Sequence, residues 1–349
     1  MVDAAHLAII WQGVAAWNEW RAQQVNVRPD LQAANLQRAN LQGANLERAN
    51  LQHANLQRAN LQNANLRHTR LQKANLQRAD LQAADLQGAK LRKAKLQRVN
   101  FQRANLDRAD LRAADLQGAN LQRANLQNAK LQRANLPLAD LQRANLQQVN
   151  LRKASLPLSN LQGANLQQVN LRQADLQAAD LQEADLQGTN FQGTDLQDTD
   201  FLGADLQGAK INPKRLDGRW RLVWEIVNRG AVGKNLRGAN LQGADLRRAD
   251  FQGADLRKAD LQVAILRGTN LESANLRNAD LQYADLRDAN LRGANFQGAD
   301  LQGSHFGRNP GLTGAQRQKF TARGAVFDDV PTDCPDRPPT DAAAPEPEI

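Results

Sequence analysis

The sequence predicts an all-β solenoid, namely a four-sided parallel β-helix with short capping and insert helices. Three observations support this: a five-residue repeat, a shortage of aromatic residues, and a segment that recurs after twenty residues. Aromatic residues make up 4% of the 349 residues, although 41% are hydrophobic. A globular core of this size would contain more large rings, so the apolar residues must be buried in another way.

The repeat places Leu or Phe at every fifth position from Leu31 to Leu206, and again from Leu236 to Phe306. The residue before each pair is nearly always Ala, and the one between is mostly Asn or Asp. In a short extended stretch, Ala and Leu point inward and Asn or Asp points outward. The two polar residues that follow both face water, which requires a corner. Pro137 and Gly43 match the β-turn preferences of the first and second corner positions.

The number of sides follows from residues 136–155 and 156–175. These segments match beyond the five-residue pattern, for example at Pro137 and Pro157, which are twenty residues apart. Twenty residues make four sides, although a recent duplication would produce the same match. Successive coils of such a helix lie about 4.8 Å apart.

The repetition of Ala, Asn or Asp, Leu and two variable residues resembles the pentapeptide-repeat family over residues 31–210 and 236–306. Residues 17–30 also resemble the leader of cyanobacterial members. The resemblance implies a right-handed, four-sided parallel β-helix with Leu, Phe and Ala inside.

Both ends of the first repeat block carry helical patterns. Residues 1–30 are expected to form a capping helix, because apolar residues fall on one helical face between residues 6 and 21: Leu7, Ile10, Trp11, Val14 and Trp17. A membrane or partner helix is the alternative. Residues 211–235 are expected to form a helical insert or second cap, either starting a second solenoid or bulging from one continuous rod. This insert is 25 residues long, so continuous coils would shift their faces by one side.

The C-terminal end follows the second repeat block, residues 236–306. Residues 307–330 are expected to form a C-terminal cap. A capping box at Thr313 and Gln316 predicts a helix over residues 314–323, and Val326 and Phe327 are expected to dock on the last coil. Residues 331–349, rich in Pro, Asp, Glu and Ala, are expected to be a disordered tail.

No combination of residues indicates catalysis, a metal or a cofactor. Most carboxylates occupy the repeat's own fifth position, a solvated ladder. His53 and His68 occupy outward corner positions, and the single cysteine, Cys334, lies in the tail. We therefore expect a protein that is not an enzyme and has no cofactor.

Charge is unevenly distributed along the chain, whose net charge is +9. Residues 31–110 hold 14 Lys or Arg against 5 Asp or Glu, whereas residues 176–210 hold 1 Lys against 7 Asp or Glu. A twenty-residue coil would stack arginines on two corners, which are candidate anion-binding sites: Arg38, Arg58, Arg78 and Arg98 on one, and Arg103, Arg123 and Arg143 on the other. Chance also explains such columns, since half of the second-corner positions between residues 31 and 150 are Lys or Arg.

Apolar residues at outward positions are candidates for a partner contact: Leu138, Leu158, Val263, Ile265 and Tyr283. They could equally seat a segment of the same chain.

The function that these features predict is a non-enzymatic solenoid scaffold for protein–protein interaction, with an unknown protein partner. We expect it to be cytoplasmic, since no apolar run spans a membrane and no basic secretory segment precedes the repeats. The alternative is a nucleic-acid-directed regulator that binds DNA through basic corners or binds a DNA-handling enzyme such as a type II topoisomerase. Family members that imitate DNA are strongly acidic rods, and this chain is not.

Overall fold

The repeats form one stacked coil after another in the computed structural model, which describes residues 3–328. Parallel backbone bridges join residues that are twenty apart, from Asp30–Asn50 to Asn190–Lys210 and from Asn235–Asp255 to Asp285–His305. Each coil therefore has four five-residue sides. The twenty-residue spacing extends along both repeat blocks and is not restricted to residues 136–175.

The interior is filled by the repeat's Leu or Phe and by its Ala. Leu56 and Phe101 are fully buried, and the alanines beside them are buried as well. Because every coil stacks its Leu on the Leu of its neighbours, each buried leucine contributes about 1.5–3 kcal/mol. Where Thr replaces Ala, its hydroxyl has a partner: Thr189 Oγ1 donates to the Leu166 carbonyl at 2.6 Å.

Each corner is a turn closed by the residues that flank it. For example, the Ala39 amide donates to the Leu36 carbonyl at 3.1 Å. The second corner position has positive φ, as a type II turn requires, and non-glycine residues there have φ between 53° and 62°.

The outward Asn or Asp stabilises the corner that follows it and the coil next to it. Asn55 Oδ1 accepts from the Gln57 amide at 3.2 Å, which caps the turn. Asn55 Nδ2 also donates to Asn35 Oδ1 in the preceding coil at 3.2 Å. These two bonds explain why the repeat favours Asn and Asp at this position.

Four α-helices and two short strands lie outside the coils. The helices are α1 (Ala4–Trp11), α2 (Val14–Gln23), α3 (Gly218–Arg229) and α4 (Gly314–Thr321). A 3-10 turn spans Pro213–Arg215, and the strands are β1 (His305–Phe306) and β2 (Val326–Phe327).

The N-terminal segment differs from the single helix expected there. Gly13, with φ of 109°, separates α1 from α2, so the predicted stripe of residues does not lie on one face. Trp17 is fully buried, whereas Trp11 is 56% exposed. The stripe prediction was therefore wrong for Trp11.

Helix α2 covers the open edge of the first coil. Trp17 Nε1 donates to the Asn45 carbonyl at 2.8 Å, and Asn18 Oδ1 accepts from the Asn45 amide at 2.8 Å. Arg21 Nη2 donates to the Glu47 carbonyl at 3.2 Å. These side chains pair the backbone groups for which no further coil is present.

The junction between the two repeat blocks keeps the corners aligned. The Gly203 amide donates to the Gly243 carbonyl at 2.8 Å, so residues forty apart, two full coils, stack directly. Residues 211–230 thus take the place of one coil, and Ala231 already pairs with Asp250 of the next coil. The expected shift of faces by one side does not occur.

The C-terminal end is closed by α4 and β2. Thr313 and Gln316 form the capping box of α4, and the helix ends at Thr321, two residues earlier than predicted. Strand β2 pairs in parallel with β1, and Phe327 stacks on Phe306 with ring centroids 5.4 Å apart. The predicted tail, residues 331–349, lies outside the described residues, as does Cys334.

Candidate binding corners

Side chains that leave the rod do so at columns of corner positions spaced by twenty residues. We call corner A the column of second-corner residues from Arg38 to Asp198. Corner B is the next corner around the rod, from Gly43 to Gly203, and it continues across the junction from Gly243 to Gly303. The structure distributes the predicted site residues over both corners.

The predicted arginines fall into two separate groups. Arg38, Arg58, Arg78 and Arg98 lie on corner A, with φ between 55° and 59°. Arg103, Arg123 and Arg143 lie on corner B. A cleft of about 370 Å³ on corner B contains Arg123 and Arg143 and is lined otherwise by glutamines, Gly163 and Glu183. Stacked guanidiniums at strand spacing repel one another, so both columns favour an anionic neighbour.

The predicted apolar residues also divide between the corners. Leu138 and Leu158 lie on corner A and are 58% and 60% exposed. Val263 and Tyr283 lie on corner B and are 57% and 61% exposed. Ile265 lies on the adjoining side, half-buried, in a column where its bridge partners are Asp245 and Asp285.

Leu202 is a surface residue that the sequence analysis missed. It is 37% exposed, and its Cδ1 lies over Gly243, only 2.1 Å from the point that a Cβ on that glycine would occupy. It therefore belongs to the apolar part of corner B. The signal was present, because Leu202 takes a first-corner position that is usually Gln or Arg.

A recurring ion pair lies beside these corners, and the sequence analysis missed it too. Wherever Asp, Leu and Arg follow one another, the carboxylate and guanidinium form paired hydrogen bonds: Asp110–Arg112, Asp245–Arg247, Asp255–Arg257 and Asp285–Arg287. Such forked pairs are stronger than single contacts.

These pairs hold the carboxylates in their charged form. The hydrogen bond from Arg257 lowers the pKa of Asp255 to about 2. For Asp285, burial acts to raise the pKa, but the hydrogen bonds and charge of Arg287 outweigh it and the pKa is lowered. A general acid needs the opposite shift, so these carboxylates are structural.

The junction carries the most buried of the pairs. Asp245 is 3% exposed, and Arg247 binds it while its Nη2 also lies 3.6 Å from Asp205 Oδ2 in the coil before the insert. Arg247 thus links the two repeat blocks electrostatically.

Metal and membrane sites were also sought in the structure. Within residues 3–328, no three His, Cys, Asp or Glu side chains are grouped so that they could hold a metal ion. None of the helices in the same range has the length and apolarity needed to cross a bilayer.

Comparison with known families gives a direct match along both repeat blocks. The family described as "Pentapeptide repeats (8 copies)" matches residues 94–136, 119–157, 139–177, 174–212, 235–272 and 269–308. The related "Pentapeptide repeat region" matches residues 34–111. The chain belongs to the pentapeptide-repeat family. Membership implies a right-handed β-helix solenoid and a fold that is generally structural and not catalytic.

Several solved pentapeptide-repeat structures are similar in sequence. HetL, which is involved in heterocyst differentiation regulation in a Nostoc cyanobacterium, is 29% identical; the match covers 82% of this chain and 94% of HetL, with a TM-score of 0.28. A protein of the Arabidopsis thaliana thylakoid lumen is 28% identical over 34% of this chain and 77% of its own, with a TM-score of 0.27. QnrB1, a plasmid-mediated fluoroquinolone resistance protein, is 14% identical over 68% of this chain and 90% of its own, with a TM-score of 0.21. None of the curated proteins compared with the chain matches it.

Proposed function

We propose that the protein is a non-enzymatic scaffold that binds another protein through the apolar part of corner B, formed by Leu202, Val263 and Tyr283. The observation that carries this proposal is the backbone of Val263, whose φ is +57°. A β-branched residue rarely adopts positive φ, and Val263 does so at an exposed corner where glycine is the common choice.

Strain of this kind persists where another requirement outweighs it, and functional surfaces are its usual location. Val263 gains little from burial within the chain, since it is more than half exposed. A side chain that costs stability and stays in water is explained by a contact with a partner.

The rest of the patch is arranged along the same edge. Gly303 has no side chain, and Tyr283 uses that space, since its ring atoms lie 2.5–2.6 Å from where a Gly303 Cβ would be. Leu202 occupies the equivalent space over Gly243. The three apolar residues span about 14 Å, three strand spacings. This row suits a partner segment that presents apolar side chains along one line.

The test compares two variants of the full chain in affinity capture from the source cells. V263N/Y283N removes the apolar contacts, while asparagine tolerates positive φ, so the fold is kept. The control is K258N, at a neighbouring corner of the same block with φ of +60°. We expect a protein captured by the wild type and by K258N to be lost from V263N/Y283N. Equal capture by all three would contradict the proposal.

A second candidate function, polyanion binding, is favoured by the arginine columns. Arg58, Arg78 and Arg98 form no ion pair within residues 3–328, and the cleft beside them is lined by Gln57, Gln77, Gln97 and Gln117. Titration of duplex DNA at several salt concentrations tests it. Binding that weakens with salt, and is lost from R58Q/R78Q/R98Q, would support it. Binding that ignores salt, or no binding, would exclude it, and inhibition of gyrase supercoiling would instead indicate a DNA-handling enzyme as the partner.

A further inference from the structure

We propose that the chain forms an antiparallel homodimer through corner A, about a two-fold axis that passes between Leu138 and Leu158. This inference goes beyond the proposed function, because it concerns a different corner and a second copy of the same chain.

The inference starts from the order of side chains along corner A. Each step is twenty residues, or about 4.8 Å along the rod. The column changes from basic through small and apolar to small and then acidic, and in sequence order its central members are Arg98, Gly118, Leu138, Leu158, Ala178 and Asp198.

This order is complementary to its own reverse. A two-fold axis midway between the leucines brings Leu138 against Leu158 of the partner subunit. The same axis brings Gly118 against Ala178 of the partner subunit, where two small residues allow the rods to approach. It also brings Arg98 against Asp198 of the partner subunit. Such a contact is isologous, because every pair occurs twice.

The charged residues are placed and free to make this contact. Arg98 and Asp198 are each two and a half coils from the axis, about 12 Å. Neither forms an ion pair within residues 3–328, and Asp198 accepts only a 3.3 Å bond from Gln197. Each dimer would gain two ion pairs that the single chain lacks.

The neighbouring side column agrees in its outer part. Lys95 lies in the same coil as Arg98, and Asp195 in the same coil as Asp198, so the axis also opposes Lys95 to Asp195 of the partner subunit. Nearer the axis it opposes Asp115 to Asp175 of the partner subunit, the one like-charged pair, which weakens the association.

Charge also excludes the parallel arrangement of the same corners. A two-fold axis along the rod would place each residue against its own copy, so that Arg98 would meet Arg98 of the partner subunit and Asp198 would meet Asp198 of the partner subunit. Because like charges in close contact cost several-fold in affinity, the antiparallel arrangement is favoured.

The exposed leucines are held ready for contact by their turns. Pro137 and Pro157 occupy the first corner position before them, where proline presets φ. Leu138 and Leu158 have φ of 58° and 55°, a conformation that is costly for leucine. Two large apolar residues with this backbone, adjacent and exposed, are explained if they cover each other across the axis.

The expected dimer is weak, because the contact is one corner wide. We expect a Kd on the order of 10 μM. Sedimentation equilibrium of the full chain up to several hundred micromolar measures it, and we expect the Kd to rise with salt because the outer pairs are ionic. A chain that stays monomeric over this range would overturn the proposal.

Charge reversal tests the pairing itself. R98E alone and D198R alone each create two like-charged contacts, and we expect each to weaken the dimer at least about tenfold. An equimolar mixture of the two variants restores both contacts in a heterodimer, and so does R98E/D198R in one chain. The control is R123E, the same change on corner B. Failure of the mixture to associate, or an equal loss in R123E, would contradict the antiparallel pairing.

The leucines are tested separately with L138N/L158N. Asparagine tolerates positive φ better than leucine, so this variant keeps the fold, which circular dichroism checks. We expect its dimer to be lost while capture of a partner through corner B is unchanged. A dimer that survives in L138N/L158N would overturn the proposal, whereas loss of partner capture alone would count against the proposed function only.

Discussion

Helices α2 and α3 solve a similar problem in two different settings. Each precedes a repeat block, and each directs a tryptophan Nε1 and an asparagine side chain at unpaired backbone groups of a coil. Trp17 and Asn18 do this in α2, and Trp224 and Asn228 do it in α3, where Trp224 donates to the Ala209 carbonyl at 2.8 Å. The chemistry of edge closure is therefore shared.

The two helices differ in how many coils they touch. Helix α2 has coils on one side only, and its buried residues are Trp17 and Arg21. Helix α3 lies between coils and buries four apolar residues: Trp220, Val223, Trp224 and Ile226. The comparison teaches that a cap protects an end, whereas the same device inside a rod also decides whether the two blocks unfold together.

The largest expected effect separates the two tryptophans. Trp220→Ala removes a side chain that packs on Phe201 with ring centroids 6.1 Å apart, and we expect a loss of about 3–5 kcal/mol. Because α3 joins two blocks, urea unfolding should change from one transition to two. Trp17→Ala should cost a similar amount but only fray the first coils, as hydrogen exchange would show. A single transition in Trp220→Ala would contradict a coupling role for α3.

The asparagines should follow the same order with smaller effects. Asn228 Nδ2 donates to the Leu206 carbonyl at 3.0 Å, and its Oδ1 accepts from the Gly208 amide at 2.6 Å. Asn228→Ala leaves these groups unpaired in a half-buried site, and we expect a loss of about 1–3 kcal/mol. Asn18 is more exposed, so water can replace it and Asn18→Ala should cost less. Equal midpoints of urea unfolding for the two variants would remove the distinction.

A still smaller effect is expected at the corner where the blocks touch. Gly243 has φ of +61°, and an added Cβ would clash with Leu202, a flexible side chain. We expect Gly243→Ala to lower the stability by about 1 kcal/mol. Adding Leu202→Ala should recover part of the loss, whereas Gly253→Ala, with nothing near its Cβ position, shows the backbone cost alone. An equal loss in both single variants would deny the clash.

The smallest effect distinguishes the blocks on either side of α3 by their response to acid. Three of the four Asp-Leu-Arg pairs lie in the second block, and the pKa of Asp255 is lowered to about 2 by Arg257. A lowered carboxylate pKa stabilises the fold above the ordinary value near 3.8, and this contribution is lost as the pH falls from about 4 to 2. Arg257→Gln should raise the pKa of Asp255 toward its ordinary value, as NMR titration of its carboxyl would show. An unchanged titration would disprove the role of Arg257.

The sequence predicted the repeating part of the fold because each residue reports its own environment. A period of five with inward Leu and Ala admits one arrangement of sides and corners, and the Pro137–Pro157 match supplied the coil length. The arginine columns and the exposed leucines followed from that spacing. The family match supports the same fold.

The junction was not predictable in the same way, for a physical reason. The counted insert ran from residue 211 to 235, yet residues 231–235 already form a side, as the Ala231 bond to Asp250 shows. Helix α3 alone therefore replaces a coil, which only the contact of Gly203 with Gly243 reveals. Leu202 and Asp198 likewise gained meaning only once their neighbours in space were known.

Keeping the blocks aligned across the junction has a consequence for how this chain can change in length. Any gain or loss of a whole twenty-residue turn leaves every later side chain facing the way it did before, whereas a gain of five would rotate all of them by a quarter of the circumference. Such a molecule can be lengthened or shortened between its contact points while their directions stay the same. Helix α3 already does this, as a spacer that replaces one turn without disturbing the direction of Val263 or Tyr283.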